Sequence, residues 1–438
     1  MGLLHATAMV VGTIVGASIF VQPTEISRHV PSIPGMLLVW LLSGLLTLCG
    51  ALVCAELAAA FPRTGGVYVF LKETISPAIG FLWGWAMFWT IHSGIIAAIA
   101  VVFARYVGYF APLGDRGTRA VAIAGILALS AVNYVGVRPG SAVQTILTLV
   151  KILAIVLILV LVLALGPPAP VHSEADAAGG ASPPPLREFV LALIAGLFAF
   201  GGWHMVTYAA DETRRPDKTI PRALLIGTLT VTACYLALNA AYVYVLPLEQ
   251  VIRSTRVAAD AANALVGPKG AAAISGLVIV SAFGALNGIV LAGPRVYFAM
   301  AGDGLAFRWL GAIHPRFRTP HLAILLQALW SSVLVTTGTY RALFTRVIYT
   351  EWLFFAVMAI GAFRLRRRSG YTHSHSVWGL PLVRLLFIVS CGVIVLNQIA
   401  ADPLESAIGF LLVGAGLPVY YFWARRFAGQ GAAADAHH

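Results

Sequence analysis

The chain has 438 residues, of which 59% are hydrophobic and only 11% are charged. This composition excludes a soluble globular domain, which cannot bury so much apolar surface, and is typical of a polytopic membrane protein that exposes it to lipid. The formal net charge of +12 does not indicate a nucleic-acid partner, because the basic residues lie in short loops between apolar segments.

Windows of about 20 apolar residues, the length that crosses a bilayer, predict an all-α membrane protein with twelve transmembrane helices. The predicted spans are 3–30, 34–61, 76–111, 118–135, 143–165, 188–211, 220–246, 271–301, 320–338, 342–365, 379–399 and 404–427. Loops on one side carry 17 Lys and Arg residues and loops on the other carry 10, which predicts that the first side is cytoplasmic. Because the number of spans is even, both termini are expected in the cytoplasm, with the chain in the cell (inner or plasma) membrane.

Two outer loops stand out between the spans. Residues 167–187 are rich in Pro, Ala and Gly, which predicts an extended linker. Residues 248–267, "LEQVIRSTRVAADAANALVG", have helical apolar spacing. Two interpretations stay open for this second segment: a lid over the outer mouth, or an amphipathic surface helix without a gating role.

The sequence predicts neither an enzyme nor a cofactor. The cysteines at 49, 54, 234 and 391 all lie inside apolar segments, which indicates packing residues rather than a disulfide framework. No metal-ligand spacing and no nucleophile–base pair is visible, so we expect no metal site and no catalytic residue.

Small residues cluster near the middle of the first and sixth spans. The first contains "GTIVGASIF" and the sixth contains "GLFAFGGWHMVTYAADE". Glycine weakens a helix interior by roughly 1 kcal/mol, so each cluster predicts a break, although small residues also serve close helix packing. The two spans are five helices apart, as two inverted five-helix repeats require, and paired breaks indicate a binding site at the bilayer midplane.

The inverted repeat predicts how the chain is divided. The segments are a first repeat at 1–166, an extracellular linker at 167–187, a second repeat at 188–368, helices 11 and 12 at 369–427, and a cytoplasmic tail at 428–438. A helix that stops and restarts has free N–H groups at the restart and free C=O groups at the stop. Free amides suit a carboxylate and free carbonyls suit an ammonium, which predicts a site for the zwitterion of an α-amino acid.

Several motifs together resemble the amino acid–polyamine–organocation superfamily, with its LeuT-type 5+5 inverted repeat and two C-terminal helices. These are "VVGTIVGASIF", "CAELAAAFPRTGGVYVFLKE", "TLVKILAIVLIL", "GLFAFGGWHMVTYAADETRRPDKTIPRAL", "FGALNGIVLAGPRVYFAMAGDGLAF", "IHPRFRTPHLA" and "GFLLVGAGLPVYYF". The chain is similar over essentially its whole length to the L-type amino acid transporters and to bacterial alanine–serine–cysteine exchangers.

The resemblance and the in-span polar residues give a set of candidate substrate-site residues. They are Ile14, Gly16, Ala17, Ser18, Ile19, Phe198, Gly201, Trp203, His204, Asn287, Glu351 and Trp352. The resemblance implies that backbone amides from Gly16 to Ser18 hold the carboxylate and that the carbonyls of Ile14, Phe198 and Gly201 meet the ammonium. Phe198 is expected to close over the substrate as the outer aromatic gate.

The sequence departs from the family pattern at two places. Relatives commonly read Gly-Ser-Gly where this chain reads Gly16-Ala17-Ser18. Backbone amides survive that change, so carboxylate binding is expected to be kept while the pocket floor differs. Relatives often have a small polar residue at the position of His204, which either reads the substrate side chain, titrates near neutral pH, or is a hydrogen-bonded structural histidine.

Lys151 is a charged residue in the otherwise apolar fifth span. In the L-type subfamily a lysine at the matching position occupies the place of a sodium ion, which implies that its ammonium bridges the broken first helix to polar groups near Asn287. Two alternatives stay open: the side chain snorkels toward the interface, or it releases its proton and couples transport to a proton gradient.

Glu351 is a second in-span charge, with Trp352 beside it as a candidate pocket aromatic. A carboxylate at this depth either selects a polar or cationic substrate, carries a proton, or pairs with a basic residue. Trp352 either lines the pocket, as in relatives, or packs elsewhere.

The leading hypothesis is a sodium-independent exchanger of neutral L-amino acids that works by alternating access. The alternatives are a proton-coupled symporter, a cationic amino acid or polyamine carrier, and a non-transporting amino acid sensor, which the lack of an appended soluble domain disfavours. Vertebrate light chains of the family join a glycoprotein through a cysteine between helices three and four. Here that loop reads "FAPLGDRGTRA", so we expect no disulfide-linked heavy chain.

Overall fold

The computed structural model describes residues 1–135, 151–153, 155–167, 183–338, 340–367 and 380–423, without the side chains at 212, 340, 341 and 380. Within these ranges the chain is helical and contains no β-strand. Several predicted features therefore lie outside the described residues: the start of the fifth span, most of the linker 167–187, and the tail 428–438.

Fifteen α-helices follow one another in the described ranges. They are α1 (Leu3–Ile14), α2 (Gln22–His29), α3 (Ile33–Ala60), α4 (Val67–Thr74), α5 (Pro77–Val107, with a wide π-turn at Met87–Ile91), α6 (Asp115–Val135), α7 (Lys151–Leu165), α8 (Leu186–Ala199), α9 (Pro216–Val245), α10 (Leu248–Arg253), α11 (Val257–Gly302), α12 (His321–Thr337), α13 (Tyr340–Arg366), α14 (Leu380–Ala401) and α15 (Pro403–Gly414). Short 3-10 segments occur at Ser18–Phe20, Trp203–Glu212 and Arg308–Gly311.

Nine helices in the described part of the chain are long and apolar enough to cross a bilayer. These segments are Ile33–Ala60, Pro77–Val107, Asp115–Val135, Leu186–Asp211, Pro216–Val245, Val257–Gly302, Ala342–Arg366, Pro381–Ala401 and Pro403–Trp423. The other three predicted spans contain the shorter apolar helices α1, α7 and α12. The chain is therefore a polytopic helical membrane protein.

Side-chain caps begin several of these helices. The hydroxyl of Ser32 accepts from the Gly35 amide at 3.2 Å, and that of Ser76 accepts from the Ile79 amide at 3.3 Å. Each cap satisfies one of the amides that have no partner in the first helical turn, which is why the helices start at these positions. The predicted lid segment forms α10 and the first part of α11, which kinks at Gly267.

The interrupted segments lie at the centre of the bundle. α9 packs along α3 and α1, while α11 packs against the second half of α5. α8 packs against α2 and α3, and α13 packs against α5, α8 and α14. As a result residues 14–27 are buried, as are residues 192–210 apart from Gly201. Backbone groups released by a break in this region meet protein rather than lipid.

Candidate functional site

The first break separates α1 from α2. Helical geometry ends at Ile14, and the N–H of Gly16 turns back to donate to the Ile14 carbonyl at 2.6 Å. The next three amides, of Ala17, Ser18 and Ile19, have no hydrogen-bond acceptor among the described residues. All three residues are at most 4% exposed, so these N–H groups form a buried, unpartnered donor set of the kind that binds an anion.

The second break separates α8 from the 3-10 segment Trp203–Glu212. The Gly201 N–H donates to the Phe198 carbonyl at 3.1 Å, and Gly202 takes a left-handed φ of +92°. A β-carbon at Gly202 would lie 3.2 Å from the Thr13 carbonyl oxygen, so both the conformation and the close approach require glycine. The Thr13 hydroxyl lies 3.2 Å from the Gly202 carbonyl, so the two breaks are in direct contact.

Tyr235 on α9 joins the two breaks through a single hydroxyl. Its oxygen lies 2.9 Å from the carbonyl oxygen of Ile14 and 3.1 Å from that of Ala199, the last residues of α1 and α8. The ring is buried, with the rings of Trp40 and Phe200 at 5.5 and 5.0 Å. Sequence reasoning missed this residue, because a tyrosine in an apolar span is usually a packing residue.

A narrow cavity of about 20 Å³, room for one or two water molecules, lies between the breaks. Of the predicted residues, its walls contain Ile14, Gly16, Ser18, Phe198, Gly201 and Glu351. The lining residues that the sequence did not suggest are Thr13, Ile95, Ile99, Gly202, Met205, Ile289, Val347 and Ile348. The walls do not include Ala17, Ile19, Trp203, His204, Asn287 or Trp352. An amino acid does not fit this volume, so its binding requires the surrounding helices to separate.

Two phenyl rings lie at one end of the cavity. Phe198, which lines it, packs against Phe344 on α13 with ring centroids 5.4 Å apart. Phe344 also lines a larger cavity of about 340 Å³ that includes Arg346 and Glu405. The phenyl pair therefore lies between the central cavity and the larger one.

Polar contacts close the opposite end of the bundle. The Tyr68 hydroxyl of α4 donates to Asp303 at 2.6 Å, and the Lys72 ammonium lies 2.8 Å from the same carboxylate at the end of α11. Burial and the adjacent Asp303 carboxylate raise the pKa of the Tyr68 phenol, so it stays a neutral donor. The Thr64 amide donates to Asp211 at 3.2 Å. These contacts join α4 and the loop before it to the ends of the eighth and sixth spans.

Glu351 lines the central cavity one helical turn from Val347, and His204 lies behind it. The two side chains are 3% and 0% exposed, and His204 Nε2 is 3.7 Å from Glu351 Oε1. In the described part of the chain, neither ring nitrogen of His204 has a hydrogen-bond partner, and Glu351 Oε1 has none either. Two residues 147 positions apart in sequence thus form an acid–imidazole contact inside the bundle.

Lys151 is fully buried, and its ammonium donates to the Gly12 carbonyl at 3.2 Å. In an unbroken helix that carbonyl would accept from the Gly16 N–H, which donates to Ile14 instead. The lysine therefore supplies the donor that the break removes. Asn287, the expected neighbour on the eighth span, accepts from Asn133 at 2.8 Å.

Trp203 and Trp352 pack in an aromatic cluster beside the cavity. The Trp203 ring lies 5.0 Å from the Phe355 ring, and the Trp352 ring lies 5.4 Å from that of Phe387. The contacts around both tryptophans are with protein side chains in the core.

Known proteins resemble the chain over nearly its whole length. A sequence profile described as amino acid permease matches residues 1–422. The serine/threonine exchanger SteT of Bacillus subtilis is 33% identical over 431 residues, which cover 98% of this chain and 97% of that protein. The large neutral amino acids transporter small subunit 2 of Homo sapiens is 30% identical, covering 96% and 79%. The cystine/glutamate transporter of Homo sapiens is 28% identical, covering 96% and 84%.

Proposed function

The chain belongs to the amino acid permease family, a family of multi-pass membrane transporters rather than enzymes, and on that premise we propose that it is a sodium-independent exchanger of neutral L-amino acids that works by alternating access. The observation that carries the proposal is the buried pair of breaks: residues of both breaks line one small cavity, and Ser18, whose amide has no acceptor among the described residues, is one of them. The names of two relatives support the same conclusion: one is a serine/threonine exchanger and the other is a large neutral amino acids transporter small subunit.

The substrate main chain binds across the two breaks. Its carboxylate accepts from the amides of Ala17, Ser18 and Ile19, which have no other acceptor among the described residues. The Ile14 carbonyl already accepts from Gly16 and lies 2.9 Å from the Tyr235 hydroxyl, so the substrate ammonium is directed to the second break. There the carbonyl oxygens of Phe198 and Gly201 supply acceptors, because each carbonyl has two lone pairs.

Sodium is unnecessary because Lys151 places a fixed cation against the first break. Its ammonium satisfies the Gly12 carbonyl that the break releases. The family resemblance implies that this is the place a sodium ion takes in sodium-coupled members. Because the Lys151 charge is part of the protein, transport does not need a sodium ion from solution or a sodium gradient. Exchange then follows from alternate opening of the Phe198–Phe344 pair and of the Tyr68–Asp303 contact, each of which closes one end.

Transport by the purified protein in liposomes tests this proposal. Uptake of a labelled neutral amino acid is expected to rise with unlabelled amino acid inside, and to be equal in sodium and potassium buffers. An inward proton gradient without internal amino acid should drive no uptake. Accumulation under that gradient would instead support a proton-coupled symporter, the second candidate function, which the buried Glu351–His204 contact favours.

Replacing Tyr235 with phenylalanine is expected to slow exchange about fivefold. The hydroxyl joins the ends of α1 and α8, and one such hydrogen bond contributes about 1 kcal/mol, which corresponds to about a factor of five in rate. The measurement is the initial rate of counterflow. The matched control is Tyr244→Phe, because the Tyr244 hydroxyl donates at 2.7 Å to the Pro167 carbonyl, far from the breaks. Equal rates for the two variants would contradict the role of Tyr235.

The chain is proposed to act in the cell membrane with both termini in the cytoplasm and without a disulfide-linked partner. The excess of Lys and Arg on one set of loops supports this orientation. All four cysteines lie within helices α3, α9 and α14, and Cys54 and Cys391 are fully buried. A thiol in these positions does not reach a partner chain outside the membrane.

A further inference from the structure

The central cavity has an aliphatic wall with one carboxylate in it. Besides residues of the two breaks, the cavity is lined by Ile95, Ile99, Ile289 and Val347, and Glu351 is the acidic residue among the lining residues described. The substrate main chain is directed to the breaks, so its side chain points toward this wall. A carboxylate on a buried side chain in such surroundings is costly unless it meets a hydrogen-bond donor.

The protein itself supplies Glu351 with only a loose partner. His204 Nε2 lies 3.7 Å from Glu351 Oε1, beyond hydrogen-bond length. His204 is held by aromatic rings, with centroid distances of 5.4 Å to Trp203, 5.5 Å to Tyr208 and 5.2 Å to Phe355. The imidazole therefore packs behind the carboxylate and limits its movement without a hydrogen bond to it, so the carboxylate stays available to a donor in the cavity.

We infer that Glu351 determines which side chains are carried, by accepting a hydrogen bond from a hydroxyl or ammonium group on the substrate's side chain. This inference rests on the proposed function, because it assigns the side-chain half of the same site. An apolar side chain of equal size leaves the buried carboxylate without a partner. An acidic side chain brings a second negative charge against Glu351, so aspartate is excluded. His204 acts as a positioning residue for Glu351.

The test compares substrates of equal size in proteoliposomes loaded with unlabelled threonine. Threonine and valine differ by a hydroxyl in place of a methyl group, and 2,4-diaminobutyrate and norvaline differ by an ammonium in place of a methyl group. The wild-type protein is expected to prefer the donor-bearing member of at least one pair about 10- to 100-fold in uptake efficiency, the range for a hydrogen bond to a charged group. A preference for threonine agrees with the neutral substrate proposed above, whereas a preference for 2,4-diaminobutyrate alone means that a cationic substrate is carried instead of a neutral one.

Variants assign that preference to Glu351. Glu351→Leu should reduce the preference to about twofold or less while valine exchange persists, because the aliphatic wall is extended. His204→Phe keeps the aromatic packing and removes both nitrogens, so it should raise the KM for threonine and leave that for valine unchanged. Glu249→Ala, at a residue 73% exposed on α10, is the matched control and should retain the wild-type preference.

The outcomes separate the inference from the proposed function. A wild-type protein that exchanges no amino acid contradicts the proposed function itself. If the wild-type protein exchanges valine and threonine equally, and norvaline and 2,4-diaminobutyrate equally, the role of Glu351 alone is overturned. The role of Glu351 is also overturned if Glu351→Leu keeps the wild-type preference, or if aspartate is taken up at the same rate as asparagine.

Discussion

Replacing Lys151 with methionine is expected to reduce amino acid exchange to the background of empty liposomes. The unbranched methionine keeps most of the apolar stem, so packing around α7 is preserved while the ammonium is lost. The Gly12 carbonyl then has no donor, because the Gly16 N–H donates to Ile14. A buried carbonyl without a partner costs about 1–3 kcal/mol, enough to move the end of α1 away from the substrate cavity.

Two comparisons make the result for Lys151 interpretable. Lys269→Met removes an exposed cation from α11 and should leave the exchange rate unchanged. Elution of Lys151→Met as a single peak on gel filtration shows that the lost activity does not reflect unfolding. Counterflow by Lys151→Met within about twofold of the wild-type rate would exclude the lysine as the cation that holds the first break. Adding sodium should not restore the activity of Lys151→Met, because a free ion does not replace the covalently attached ammonium.

The sequence predicted the helices well because membrane spans follow from length and hydropathy. The segments around Trp40 and Tyr242, for example, form α3 and α9 as predicted, since each contains an uncharged stretch long enough to cross the bilayer. The end of α1 at Ile14 also coincides with the glycine cluster, because glycine and serine contribute little to helix stability there.

The cavity wall was much harder to predict. In a soluble helix the apolar face identifies the core, but in a membrane span the lipid-facing side is apolar too. Ile95, Ile99 and Ile289 line the cavity, yet nothing in their sequence distinguishes them from isoleucines that face lipid. Polar residues in spans are more informative, because lipid does not tolerate them: Lys151 and Glu351 were both identified in this way.

Long-range contacts were not predictable from spacing at all. Tyr235 reaches Ile14 over 221 positions in the sequence, and Asn133 pairs with Asn287 over 154. The resemblance implied a place for Asn287 near Lys151, but it did not supply Asn133 as the partner that donates to it. Such pairs depend on how the helices cross, which hydropathy does not encode.

The buried carboxylate of Glu56 on α3 pairs with two guanidinium groups from other helices. Arg366 Nε lies 2.6 Å from one oxygen, and Arg384 on α14 contacts the other. Glu56 and Arg384 are 4% and 1% exposed, and the Arg384 guanidinium also lies 5.2 Å from the Phe363 ring centroid. The three charged groups thus connect α3, α13 and α14 near the end that Tyr68 and Asp303 close.

Replacing Glu56 with alanine is expected to destabilise the protein by about 3–5 kcal/mol, because it leaves the buried Arg384 cation without its counter-charge. The measurement is the thermal midpoint of the detergent-solubilised protein, followed by gel filtration. Glu249→Ala, which breaks an exposed pair with Arg253, should leave that midpoint unchanged. The double variant Glu56→Leu with Arg384→Met should recover most of the loss, because it removes both buried charges and keeps the apolar volume. If the double variant is as unstable as Glu56→Ala, lost packing rather than an unpaired cation is the cause.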